Sequence, residues 1–196
     1  MTQVDPVRVF VKLAMANRLA NARLHLACGK LPQSELDAPR AAFFGTIQAT
    51  LNHILLVDRF YLNALEGGGL DRPALDEARA CPDLPRLKAL QAAQDDRLIA
   101  HVQGLAPAAL DEVVAVDRGE RVQHDRRDDL LSHLFQHQTH HRGQVHGMLS
   151  ATTVQPPQLD EFIVGDDAPS RTADLAALGW DEAQLMRGSL PPTGAG

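Results

Sequence analysis

The sequence predicts an all-α protein, a four-helix bundle with a small β-hairpin in the crossover between its third and fourth helices and an extended C-terminal tail. Three observations carry this. Four segments of about twenty residues repeat apolar side chains at helical spacing. Glycine and proline punctuate the stretches between them. One short alternating stretch, Glu112 to Gln123, turns at Gly119.

The first helix opens at Asp5-Pro6, an N-cap residue followed by proline at the first helical position, where a missing N–H is no loss. It runs to Gly29. Val7, Phe10, Val11, Ala14, Leu24 and Ala27 supply the apolar side, and Asn17, Arg18 and Asn21 the polar side. A helix of this length buries its apolar stripe most simply in a bundle. Pro32 to Arg40 reads as a polar connector.

The second helix spans Thr46 to Leu65 and is stopped by Gly67-Gly68-Gly69. Gln48, Asn52, Arg59 and Asn63 make one narrow polar wedge, and Ile47, Leu51, Ile54 and Leu55 cover much of the remainder. Such a helix is buried nearly all round. His53 lies about 110° from the centre of the wedge, well inside the apolar sector, and so needs a buried partner. Asp58 sits among apolar neighbours and reads as structural rather than catalytic.

Leu70 to Pro82 is a linker with a short turn of helix, after which Asp83 caps a third helix from Leu84 to Gln103. Pro107 ends it, and the hairpin follows. The fourth helix carries Asp128 or Asp129 in its first turn, where negative charge suits the helix dipole, and ends near Leu149. Pro156-Pro157 blocks further helix. Leu159 to Val164 is expected to be extended, Leu175 to Met186 to have short helical character, and Leu190 to Gly196 to be disordered. The chain thus divides into a bundle domain, residues 1–165, and a partly disordered extension, residues 166–196.

The fourth helix is where the chemistry concentrates. Its run LLSHLFQHQTHHRGQVHGML holds five of the chain's nine histidines. Leu130, Leu131, Leu134, Val145, Met148 and Leu149 gather on one side, and His137 and His141, one turn apart, fall on or beside that stripe. His133 and His140 lie toward its edge, and His146 points away. A buried imidazole without a partner costs about 1–3 kcal/mol, and a divalent metal satisfies two of them at once.

His-x-x-x-His alone also describes histidines hydrogen-bonded to neighbouring helices, so a third ligand decides, and His53 supplies it. Three neutral nitrogens with an open position describe a catalytic rather than a structural zinc site. Nickel, manganese or iron suits the same imidazoles. HQTHH lacks the glutamate of the HExxH metalloproteases, and the Glu-x-x-His pairs of di-iron bundles are missing. Gln144 is placed to support a ligand from outside, and Gly143 in mid-helix suggests close approach of another helix or of substrate.

Composition bounds the partners. The net charge is −6 and no block of five basic residues occurs, which argues against nucleic acid. Neither a signal peptide nor a transmembrane run is visible, so no membrane association is expected. Cys28 and Cys81 lack CxxC spacing and read as reduced thiols of a cytoplasmic protein.

TLNHILLVDRFYL (Thr50 to Leu62) and HLFQHQTHHRGQVHGML (His133 to Leu149) resemble the DinB family, also described as DinB/YfiT-like metalloenzymes. The similarity spans roughly Val4 to Val164, including the Arg-Gly-Glu turn and the Pro-Pro-x-Leu-Asp ending. What the resemblance implies is up-down-down-up connectivity, a homodimer, and a metal bound by His53, His137 and His141. Characterised relatives include thiol S-transferases and thiol-dependent isomerases, which implies metal activation of a low-molecular-weight thiol. Two functions stay open: a metal-dependent enzyme activating a thiol or water, and a non-catalytic, stress-associated metal-binding dimer.

Overall fold

The start of each long helix is fixed by groups that take up its free first-turn N–H groups or suit its dipole. In the computed structural model, which describes residues 5–186, the Asp5 carboxylate accepts from the Val7 N–H at 2.9 Å as α1 (Val7–Cys28) begins. A single turn, α2 (Gln33–Leu36), lies in the first connector. Thr46 caps α3 (Ile47–Leu65), its hydroxyl accepting from Ala49 at 3.0 Å. Gly67 then turns the chain with φ +81, a conformation that glycine adopts without the Cβ penalty. The linker before residue 83 is more ordered than a single turn, because Asp71 caps α4 (Arg72–Arg79), which packs on α3. Asp83 caps α5 (Leu84–Gln103), accepting from Arg86 at 2.9 Å.

The hairpin pairs β1 (Val113–Asp117) antiparallel with β2 (Val122–Arg126), Val113 opposite Arg126 and Asp117 opposite Val122. Gly119 at φ +86 makes the turn. Val114 and Val116 face the core while Val113 is exposed, the alternation of a strand buried on one face. β2 runs directly into α6 (Arg127–Leu149), with Asp128 and Asp129 in its first turn.

The tail is more helical than the expected extended arrangement: helix is present within the expected stretch, Leu175 to Met186, and also ahead of it. Residues 168–186 form α7 (Ala168–Leu178) and α8 (Glu182–Met186), and both contact α1. The reason is a pair of arginines. Arg171 is fully buried, donating to the carbonyls of Glu161 and Val164 at 2.9 and 2.8 Å and pairing with Glu182. Arg23 on α1 pairs with Glu161 at 2.9 Å and Asp174 at 2.5 Å. Leu175 and Leu185 join the apolar core that these pairs close over. Leu190 to Gly196, expected to be disordered, lies outside the described residues.

α1 and α3 each pack against both α5 and α6. Two apolar clusters result. One joins the first half of α1 to the second halves of α3 and α5 and the first half of α6, through residues such as Leu19, Leu62, Leu98 and Leu131. The other joins the opposite halves, through Leu24, Leu55, Leu87 and Leu149.

Between the clusters lies a polar layer, and it holds Asn17 and Asn21 from the polar side of α1. Both are buried, at 2% and 3% exposure. Their amides donate to Asp95 on α5, at 3.2 Å from Asn17 and 3.0 Å from Asn21, and their carbonyl oxygens accept from Arg142 on α6. Gln91 bridges Asp95 and Asp58 at 3.0 and 2.7 Å, so Asp58 has the structural place expected of it. Among the described residues no helix is long and apolar enough to cross a membrane.

Candidate metal centre

The packing of α3 along α6 sets three imidazoles face to face. His53 comes from the first half of α3, and His137 and His141 from successive turns of α6. Nε2 of His53 lies 2.9 Å from Nε2 of His137, and one nitrogen from each of the three rings lies within 4.8 Å of the others. His133, His140 and His146 stand outside this group. His133 instead packs edge-on against Tyr61, with ring centroids 5.1 Å apart.

Burial, and then the charge of neighbouring imidazoles, pushes His53 down to about 4 and His137 down to about 3. Burial also lowers His141. At neutral pH His53 and His137 are therefore uncharged and keep ring lone pairs, the form that ligates metals.

The tautomer of His141 follows from its neighbour. Its Nδ1 lies 2.9 Å from the side-chain oxygen of Gln144, which only accepts, so Nδ1 carries the proton and Nε2 is left bare. The amide nitrogen of the same Gln144 lies 3.1 Å from His140 Nε2, so one side chain spans both rings. His137 has no such support: its Nδ1 is buried with no hydrogen-bond partner among the described residues. The donor set is three uncharged nitrogens from two helices, and it fits a divalent ion of the zinc kind.

Phe44, from the connector before α3, covers the group. Its ring centroid lies 4.1 Å from that of His53 and 5.4 Å from that of His141. Helical periodicity has no means of finding this residue, because it sits in an irregular segment. The available signal was an aromatic pair, Phe43-Phe44, just before the Thr46 cap in an otherwise polar connector.

Beside His53 opens a cleft of about 550 Å³, walled by Phe44, Ala49, Leu56 and Pro82. The wedge residues Gln48 and Asn52 also border it, but their side chains are already engaged. Gln48 donates to Asn52 at 3.0 Å, and Asn52 donates to the carbonyl of Cys81 at 2.9 Å. The cleft therefore presents mainly apolar surface, with an imidazole at one end.

Two further expectations resolve here. Among the described residues no atom outside the α6 backbone approaches within 4 Å of where a Gly143 side chain would begin, so no described neighbouring helix explains that glycine. Cys28 and Cys81 are free and buried, and burial holds both thiols above their ordinary range, Cys28 at about 12. Neither belongs to the triad.

Fold and site together define a mostly helical protein with a three-histidine centre able to hold a metal ion. The chain belongs to the DinB family, a metal-binding family whose model matches residues 3–171 and so takes in all three histidines. No curated protein matches the chain.

Proposed function

We propose that this protein is a metal-dependent enzyme in which His53, His137 and His141 hold one divalent ion, zinc foremost, and a low-molecular-weight thiol or water is activated there for transfer of the thiol S-transferase kind. The observation that carries the reading is the convergence of three ring nitrogens beside an apolar cleft. Nickel, manganese or iron fits the same donors. A bound ion of this class lowers the pKa of a thiol or water at its open position. The residues around it do the rest. Gln144 holds His141 in the Nδ1–H tautomer, and Phe44 shields one side of the rings from solvent. The engaged Gln48 and Asn52 leave the cleft suited to the apolar part of an acceptor molecule.

The reading extends to an up-down-down-up four-helix bundle, supported by which helix halves share each apolar cluster. It also extends to a cytoplasmic homodimer, on the family resemblance and the reduced cysteines.

Elemental analysis of protein purified without an affinity tag or added metal is the test. About one ion per chain in the parent, lost in His53→Ala and His137→Ala, is the expected result. Folded parent that is metal-free and cannot be loaded with zinc, nickel or manganese refutes it. Catalysis is separated from mere metal binding by cobalt substitution. A thiol that enters the coordination sphere changes the visible absorption, whereas an unchanged spectrum with every thiol tried favours the non-catalytic, stress-associated dimer.

A further inference from the structure

A second cleft, of about 710 Å³, lies where the end of α1, α2 and the first turn of α5 meet, and it shares no lining residue with the cleft beside His53. Its walls are aliphatic. Leu31 and Leu36 are buried, while Leu26 on α1 is 62% exposed, an apolar side chain left uncovered at the edge. Such a surface is stabilised by whatever apolar body covers it.

The charge on the rim is positive and unspent. The chain has only three lysines, and two of them, Lys30 and Lys88, border this cleft. Neither forms an ion pair among the described residues, in a protein of net charge −6 whose arginines are mostly paired. The one acid among the lining residues, Asp83, is engaged by the Arg86 N–H at the start of α5. That helix start also directs its positive dipole end toward the region.

A third polar group completes the set. His25 is 5% exposed and borders the cleft, yet its ring makes no hydrogen bond among the described residues. Its nitrogens, unlike Nδ1 of His137, are not sealed off. Burial and the nearby charges of Lys88, Arg18 and Arg142 hold the imidazole at about 4, so at neutral pH it offers an uncharged N–H donor.

We propose that this cleft binds an organic carboxylate with an aliphatic body, its head received by Lys30, Lys88 and the His25 N–H and its chain laid over Leu26, Leu31 and Leu36. Two cations and one donor suit the two oxygens of a carboxylate, and the aliphatic walls select for a chain rather than a bare anion.

The test is calorimetric titration of the full chain with hexanoate, octanoate and decanoate, beside neutral 1-octanol. Binding is expected to tighten by up to about fourfold for each methylene buried. Octanoate is expected to bind at least about tenfold tighter than octanol, with that margin lost in Lys30→Gln/Lys88→Gln. Leu26→Glu, at an exposed position that the fold does not need, is expected to weaken all three acids. His53→Ala protein with metal chelated is expected to bind octanoate as the parent does. Equal affinity for octanol and octanoate, or indifference to the lysine substitutions, overturns the proposal. So does loss of octanoate binding in His53→Ala, which would place the acid at the triad.

Discussion

At mid-height of α6, polar side chains face two ways, and their fates differ. Arg142 turns inward, where Asn17 and Asn21 accept its hydrogen bonds and Asp95 and Asp58 oppose its charge. His137 and His141, five and one residues earlier on the same helix, face α3, and there His53 meets them with a third imidazole, its Nε2 2.9 Å from that of His137, instead of a charged or amide partner. Both sets sit in low-dielectric surroundings, where a polar group without a partner is expensive. The inner set is closed by the protein itself, apart from one oxygen of Asp58, and so specifies how the four helices that carry it fit together. Among the described residues the outer set is closed only by Gln144 on His141 and by the contact of His53 with His137, and three uncharged imidazoles converging in this way are what a ligand site looks like before its ligand is considered.

The widest contrast is in stability. Arg142→Ala leaves the Asn17 and Asn21 oxygens and a buried acid without their cation, an effect of about 3–5 kcal/mol. For a chain of this size that lowers the melting temperature by roughly 6–20 °C. His53→Ala, measured in chelator, is expected to change unfolding free energy by no more than about 1 kcal/mol, since the histidine is half-buried and its one hydrogen-bond contact is another imidazole. Equal losses in the two variants, followed by urea denaturation, would erase the distinction between the layers.

Metal is expected to act on the outer set alone. Zinc at a thousand times its dissociation constant stabilises a folded protein by about 4 kcal/mol. The parent should show that rise in melting temperature and His53→Ala should not. Smaller again is the effect of the outer support: Gln144→Ala is expected to weaken zinc binding by about 10- to 100-fold, because His141 loses the acceptor that fixes its tautomer. Gln144→Glu keeps an acceptor and should retain most of the affinity, as competition with a chromogenic chelator would show.

The same contrast explains what the sequence could reveal. His137 and His141 are visible because helical spacing sets both beside an apolar stripe, and His53 because it interrupts an apolar sector. Local period is enough to flag a polar residue on a buried face. Asn17 and Asn21 show the opposite case. They read only as the polar side of a helix, with nothing to mark their burial, because their partners, Asp95 and Arg142, lie more than seventy residues away and only tertiary contact brings them together. Phe44 and the buried Arg171 escape for a related reason: an irregular connector and a polar tail carry no period from which burial can be inferred. Helix boundaries fared better, because Thr46, Asp83 and Gly67 act through bonds or backbone geometry only a few residues long.

The finest division between the two sets is the direction of their pH dependence. Burial, and then the charge of Asp58, raises Asp95 from 3.8 to about 7, while burial raises Asp58 to about 6. Gln138 lies near enough to Asp58 to oppose that rise, although neither of its amide atoms forms a hydrogen bond in this geometry. A carboxyl whose folded pKa exceeds its unfolded value holds its proton more tightly in the folded state. Its stabilising contribution is whole below about pH 4 and is lost as pH rises through 7. His53 and His137 run the other way. Their folded values lie below 6.5, so their contribution is present above that pH and is lost as pH falls through about 4 and 3. The slopes oppose one another from moderate acid to neutrality, because the unfolded imidazoles of His53 and His137, and of His25 and His141, which are also lowered, release their last protons only above 6.5. Asp95 is therefore read as a difference: the stability of metal-free parent relative to metal-free Asp95→Asn is expected to fall as pH rises from about 5 to about 7.5. Urea midpoints at closely spaced pH values decide it, since matching slopes in the two proteins would mean that Asp95 carries no proton into the folded state.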